Sequence, residues 1–458
     1  MNKVREVFGK GLVKPGEHRR LWSLACVVGA GVVLGLSAPR TVAAQNAAID
    51  STDLAELRER IDALTLELEE LRLGSDVVAR ADSGVLGFGP AASKVYGVPG
   101  GVSLGGYGEV VYENYADTRE DDAPSGRMDK VDALRGVLYV GYKFDDRFLV
   151  NSEMEFEHGA TDLTGSVSLE FAYLDYRITE GFGLRGGLLL SPMGFLNELH
   201  EPPIFLGARR TQTENRIIPT TWRENGIGAF GQTESLSYRV YVMNGLDGVG
   251  GGSSNAGGFS ASGLRGGRQK GSNAVAESFA VVGRADYVGT LGLTVGGSAY
   301  VGNSGQGREL DDGTIVDART LIWEGHADYQ ARGLELRALV AGATVDQAAE
   351  LNELRGLTGT GSIGESLEGG YVQAGYNVLS TLNTTHDLIP FFRYEWINTQ
   401  ADVPEGFAAN PSNDGTILTL GASWKPLPQI VGKIDYEIQE NEATTGVNQL
   451  NVALGYLF

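Results

Sequence analysis

Cysteine is almost absent: Cys26 is the single thiol in 458 residues. That excludes a disulfide framework and any paired-cysteine zinc or redox motif. Histidine is scarce too, with five residues scattered along the chain. No Ser-His-Asp/Glu grouping can be assembled on neighbouring segments. Glu324-x-His326-x-Asp328 spaces its ligand-capable groups ~7 Å apart along one extended segment, too far to chelate an ion unaided. No cofactor is expected. Long apolar runs are missing as well. Leu21 to Leu36 is about 16 residues, short of the ~20 a spanning helix needs, and no later stretch approaches that length. Basic charge is in deficit, with 37 Lys and Arg against 58 Asp and Glu and a net charge of −21 at pH 7. That balance argues against nucleic acid as a partner and against a polybasic anchor on an anionic membrane surface.

What is present begins with a leader. Lys3, Arg5, Lys10, Lys14, Arg19 and Arg20 precede the apolar run, and Val42-Ala43-Ala44 supplies small residues for cleavage before Gln45. Residues 1–44 therefore read as a secretory signal. Leu24-Ala25-Cys26 loosely matches a lipobox but lies near the start of the apolar run, where lipidation sites do not fall. Removing the leader leaves 30 basic and 56 acidic groups, a net charge near −26, and no thiol. Export without cysteine fits the periplasm and outer membrane. Over residues 51–73, Leu54, Leu57, Ile61, Leu64, Leu68 and Leu71 recur in steps of three and four. That is the seam of a short coiled-coil helix, expected in the periplasm, with self-association favoured over folding back on the same chain. Residues 74–100 read as a linker.

From Val102 the period becomes two. Sixteen strand candidates follow, at roughly 102–116, 132–144, 147–159, 164–179, 182–194, 225–233, 235–245, 276–289, 291–303, 318–332, 333–346, 367–380, 386–399, 414–425, 429–440 and 448–458. Most reach the ~9–11 residues that cross a bilayer on a tilt. Leu134, Leu138, Val140 and Tyr142 share a face opposite Arg135, Tyr139 and Lys143. Ile430, Ile434, Tyr436 and Ile438 likewise oppose Lys433, Asp435 and Glu437. Very short connections, such as Asp145-Asp146 and Glu180-Gly181, alternate with long ones at 117–131, 195–224, 246–275, 304–317, 347–366 and 400–413. This is the arrangement of an all-β, antiparallel transmembrane barrel over 101–458, embedded in outer-membrane lipid. In the last strand, Leu450, Val452, Leu454, Tyr456 and Phe458 share one face, and an even count returns Phe458 to the periplasm. The segment resembles the terminal strand of bacterial outer-membrane barrels, whose closing Phe is part of the signal read by their assembly machinery.

A barrel of this size leaves an aqueous lumen, so function rests on what narrows it. Residues 195–224 are the candidate constriction loop. They are apolar and rigid at Phe195, Pro202, Pro203, Phe205, Pro219 and Trp222, and charged at Glu198, His200, Glu201, Arg209, Arg210, Glu214, Arg216, Arg223 and Glu224. The Gly/Ser-rich connection 246–275 reads instead as a mobile surface loop. Its Gly263-Leu264-Arg265-Gly266-Gly267-Arg268-Gln269-Lys270 run superficially matches RGG-type RNA segments, but an exported acidic chain meets no nucleic acid. Gly359-Thr360-Gly361-Ser362-Ile363-Gly364 fits G-x-G-x-x-G but has no helix to receive a pyrophosphate.

Leu184-Arg185-Gly186-Gly187-Leu188-Leu189-Leu190-Ser191-Pro192-Met193-Gly194-Phe195 is similar to the fifth-strand segment of the phosphate-selective porin O and P family, where a Pro/Gly/Phe turn enters the constriction loop. Leader, coiled coil and sixteen strands resemble that family and the related trimeric dicarboxylate channels. The resemblance implies a homotrimeric, passive channel for small anionic solutes. Arg209, Arg210, Arg216 and Arg223 are then the candidate filter, with Arg135, Arg185 and Arg393 on lumen faces and Glu198 and Glu201 as local carboxylates. Acidic residues such as Glu153, Glu170, Asp286 and Glu437 share those faces. The residues themselves therefore leave anion preference, weak selectivity and cation preference open. An outer-membrane enzyme or adhesin acting through its extracellular loops is the alternative.

Overall fold

The structure, a computed structural model, describes residues 85–159, 165–252 and 254–458, together with Arg60. The expected leader, and all of the expected coiled coil except the helical Arg60, lie outside the described residues. The barrel belongs to the compact unit Ser75–Phe458.

Sixteen strands form one closed sheet. They are β1 (Gly101–Tyr115), β2 (Lys130–Lys143), β3 (Phe148–Glu157), β4 (Ser166–Thr179), β5 (Phe182–Leu190), β6 (Arg223–Gln232), β7 (Leu236–Asn244) and β8 (Phe279–Thr290). Then come β9 (Leu293–Asn303), β10 (Arg319–Ala331), β11 (Leu334–Val345), β12 (Ser366–Tyr376), β13 (Asp387–Asp402), β14 (Asp414–Leu427), β15 (Ile430–Asn441) and β16 (Gln449–Leu457). Each pairs with its sequence neighbours, and β1 closes on β16. Every pairing is antiparallel; in the closing pair Tyr107 lies opposite Leu457 and Tyr115 opposite Gln449. Boundaries fall within four residues of those expected from the period-two pattern. The pattern is easy to follow because each strand separates two environments over its whole length.

The outward face is apolar and exposed, with Leu138, Val240, Trp323, Ile434 and Leu454 all on it. This suits hydrocarbon. Several outward aromatics lie over glycines of the next strand. A Cβ on Gly106 would come within 2.7 Å of the Phe458 ring, and one on Gly342 within 2.8 Å of the Trp323 ring. The seam is finished by Phe458, whose N–H donates to the Gly106 carbonyl at 2.9 Å while Gly106 N–H donates back at 3.0 Å.

The inward face departs from expectation. An open aqueous tube would leave its wall wet, yet Tyr139, Glu153, Asp175, Arg239, His326 and Asn451 are buried. Three segments cover the wall: residues 85–97, the β5–β6 connection 191–222, and the β7–β8 connection 245–278. The second matches the expected inward loop, although Arg223 and Glu224 fall on β6 instead of within it. The third corrects the reading of 246–275 as a mobile surface loop. Leu246, Phe259 and Leu264 are fully buried, and Leu264 N–H donates to Arg216 O at 2.9 Å. Glycine here allows close packing instead of mobility: Gly263, at φ +121°, presses directly on the Arg216 carbonyl. The reading of 74–100 as a linker is also revised from residue 85 on. This stretch packs inside the barrel and includes one helical turn, α1 (Lys94–Gly97).

Gly106→Val places a branched side chain where the Phe458 ring lies and against the Val137 carbonyl. Overpacking of this kind costs about 1–3 kcal/mol. The variant is expected to show a lower urea midpoint in detergent micelles, read by loss of the fast-migrating folded band on unheated gels.

Candidate functional site

The β5–β6 connection crosses the lumen because both its neck and its far side are tied down. At the neck, the Asn197 side-chain amide donates to Trp222 O at 2.9 Å, and its carbonyl accepts from Trp222 N–H at 2.5 Å. Trp222 stands edge-on to Tyr300 with centroids 4.9 Å apart, and Phe195 packs edge-on against His326 at 4.7 Å. A single helical turn, α2 (Gln212–Arg216), follows. The Glu214 carboxylate accepts from Leu196 N–H and from the Tyr371 hydroxyl, both at 2.7 Å. The opposite wall holds the loop by its backbone. Thr213 N–H donates to Glu395 at 2.6 Å, Ala208 N–H to Asp435 at 2.5 Å, and Lys433 Nζ to Gly207 O at 2.8 Å.

Residues 85–97 fill the space between that loop and β2–β7. Phe88 stacks on Tyr173 at 5.6 Å and tilts against Phe171 at 5.4 Å, with Tyr139 stacked on Phe171 beyond. Glu201 accepts from Ala91 N–H at 3.2 Å and Ala92 N–H at 3.0 Å. Burial pushes its carboxyl up to about 7, against the pull of those two amides and of His200. Arg185 donates to both Asp175 oxygens, at 2.7 and 2.9 Å, and to the Tyr96 hydroxyl at 2.7 Å. Its guanidinium also lies 4.1 Å from the Tyr173 ring centroid.

Several expected filter residues therefore hold the filling in place. Arg185 and Glu201 grip residues 88–96. Glu198 pairs with Arg239 at 3.0 Å. Arg393 donates to the carbonyls of Leu206 at 3.4 Å and Arg209 at 3.3 Å, buttressing the inner loop. Arg185, Glu201 and Arg393 are taken up by the filling, while Glu198 lines a pocket with Arg239, Asp286 and Arg337.

The others gather toward the long-loop end. Arg209 bridges Glu113 at 3.3 Å and Gln449 at 2.9 Å. Arg135 reaches Glu109 at 3.5 Å, and Arg223 pairs with Glu170 at 2.7 Å. Arg216 donates to Gln212 at 3.2 Å. Arg265, Arg268 and Lys270 of the β7–β8 connection join the group, which the sequence reading missed. The available signal was their density within a Gly-rich run, offset by a composition that suggested mobility. Glu224 fastens this run to β6 by accepting from Gln269 N–H at 2.7 Å.

The cations crowd one another. Burial and Arg135 pull the Arg210 guanidinium below its ordinary value. Burial, Arg268 and Arg210 bring Arg265 down to about 9. For Arg268, burial and Arg223 outweigh Glu170, giving about 10. Burial, then Arg268 and Arg223, also lower Lys270. Arg209 goes the other way, because Glu437 and Glu113 outweigh its burial and raise it. Arg210 Nη2 and Arg265 Nη1 are buried without a hydrogen-bond partner among the described residues. Such a group has donors and positive potential to offer an anion. Among the described residues no cluster of three or more metal-ligating groups occurs.

No protein-family model matches the chain. Over 381 residues it is 38% identical to an uncharacterised protein of Aquifex aeolicus (strain VF5), covering 81% of this chain and 83% of that protein. Among solved structures, Salmonella typhi OmpF in complex with daunomycin is 14% identical with a TM-score of 0.50, over 79% of this chain and 98% of that one. An anion-selective porin from Comamonas acidovorans is 12% identical at a TM-score of 0.48, over 78% and 100%. The outer membrane channel DcaP of Acinetobacter baumannii is 12% identical at 0.47, over 78% and 97%. The likeness to OmpF is one of fold: the barrel is of the outer-membrane porin type.

Asn197→Ala leaves the buried Trp222 N–H at the loop neck without its partner, while the Trp222 carbonyl keeps only the Ser191 N–H. Each unpaired buried group costs about 1–3 kcal/mol. The expected outcome is a lower urea midpoint together with faster proteolytic cleavage within 191–222, read by mass spectrometry of the fragments.

Proposed function

We propose that this chain, which belongs to one family with the uncharacterised Aquifex aeolicus protein, is an outer-membrane channel of the porin type that passes small hydrophilic solutes and prefers anions. The observation that carries the preference is the group formed by Arg210, Arg223, Arg265 and Arg268. Three of its guanidinium nitrogens, Arg210 Nη2, Arg223 Nε and Arg265 Nη1, are buried without partners among the described residues, and burial with neighbouring arginines lowers the proton affinity of Arg210, Arg265 and Arg268. The chain's net charge of −21 does not oppose this, because a permeating ion responds to the potential along its path. Arginine forks suit phosphate and carboxylate groups through paired hydrogen bonds.

The finer reading follows the phosphate-selective porin O and P resemblance. It is supported by the Ser191-Pro192-Met193-Gly194-Phe195 turn, which leaves β5 and enters an inward loop. In this reading residues 1–44 direct export and residues 51–73 join subunits of a homotrimer in the periplasm. Phe458 is then the handle for the barrel assembly machinery.

Purified protein in planar bilayers, held in a salt gradient at pH 7, is expected to give a reversal potential on the anion side. Arg210→Gln with Arg265→Gln should move that potential toward zero. An unchanged potential would exclude this pair as the filter, and absence of conductance from every folded form, wild type and variants alike, would exclude the channel. The wild-type preference should also weaken as pH rises past about 9 to 10. Arg265 and Arg268 are charged below those values and lose their protons above them.

A further inference from the structure

We infer that residues 85–97 are a removable stopper, seated in the lumen between the inner loop and β2–β7, whose withdrawal opens the channel. The inference rests on the channel reading above, and it concerns what blocks the path, not what passes along it.

The surface beneath the segment is mixed: Phe171 and Tyr173 meet Phe88 in an apolar cluster, but the wall also carries Asn151, Glu153, Asp175 and Arg185, all buried. These are groups that water would solvate readily once uncovered. Their mutual bonds also survive withdrawal. Arg185 and Asp175 keep both of their own contacts, at 2.7 and 2.9 Å, when Tyr96 leaves. His200 likewise remains 3.1 Å from Glu153. These two pairs of the lining persist without the stopper.

Residues 85–97 lie outside the barrel's strand ladder. Their grips come from side chains. Glu201 receives the amides of Ala91 and Ala92, Asn151 donates to Ala92 O at 2.9 Å, and Tyr96 donates to Asp175 at 2.8 Å. Each has water as an alternative partner, so release breaks no sheet.

Glycines occur on both sides of the contact at the points of closest approach. A Cβ on Gly105 of β1 would lie 2.7 Å from Ala91 O, and one on Gly141 of β2 would lie 2.6 Å from Val95 Cγ2. On the segment itself, a Cβ on Gly89 would meet the Glu201 carboxyl at 2.5 Å. Wall and segment are shaped to each other, as a seat is to its stopper.

Two variants of the full chain in a Cys26→Ser background test this. In the first, residues 85–97 are replaced by a Gly/Ser stretch of equal length. Single-channel conductance or open probability in planar bilayers is expected to rise severalfold over wild type. The second is Val95→Cys with Gly141→Cys. A Cβ on Gly141 would lie 2.7 Å from the Val95 Cβ, so a small shift brings the pair to disulfide distance. Oxidised protein should conduct less than the same protein after reductant. Equal conductance of the oxidised and reduced pair, or a replacement variant matching wild type, would overturn the stopper while leaving the channel reading intact. If the replacement fails to migrate as a folded barrel, the cysteine pair decides alone. No conductance from any folded form would overturn the channel reading, and the stopper with it.

Discussion

In hydrocarbon an unpaired backbone amide has no water to turn to, so a sheet that enters a bilayer has to close on itself. Everything else here follows from that closure. Closing the sheet turns one face of every strand outward to lipid and the other inward to a space of limited width. The outer face is solved by composition alone, through Leu, Val, Ile and aromatic side chains. The inner face needs either water or chain, and this protein uses chain over much of it. Charges on the wall are then buried and have to be matched. Asp175 is held by Arg185, Asp286 by Arg239, Arg284 and His326, and Asp328 by Arg337. Pairs like these add little net stability, because removing both charges from water is expensive, but they penalise any other arrangement of the same wall.

The barrel was legible in the sequence because its two faces differ in chemistry at every second residue. Even the one irregular position in the last strand is accounted for: Leu457, apolar on the inward face, is buried. The inner loop was legible too, since rigid apolar residues such as Pro202, Pro203 and Trp222 have no reason to face solvent. What could not be read was the filling contributed by Gly-rich segments. Gly251, Gly252 and Gly263 look the same in a sequence whether the backbone is free or pressed against a carbonyl. Phe88 and Tyr96 were the available hints within 74–100, two aromatics in an otherwise small-residue stretch.

The roles of individual charges were harder still. Arg185 and Arg393 are buried inside the barrel, and their partners come from segments far away in sequence. Tyr96 meets Arg185, and Leu206 O meets Arg393, through contacts that no local pattern encodes. The basic group at the long-loop end is a product of two connections meeting, so neither connection alone announces it. Arg210 comes from one and Arg265 and Arg268 from the other, which is why the overall acidity of the chain was a poor guide to this region.

The β1–β16 seam has a consequence for how the molecule is made. Val111 faces Ala453 across it, so the two strands that seal the barrel are the farthest apart in the chain. Bringing such distant segments together carries a large loop-closure entropy and makes the step intrinsically slow. Until then β1 and β16 each present a bare edge, the feature most prone to pairing with a wrong neighbour. The seam is thus the kinetic weak point of the fold, and the aromatic rings of Tyr456 and Phe458, lying over Gly108 and Gly106, are the last pieces that complete it from the lipid side.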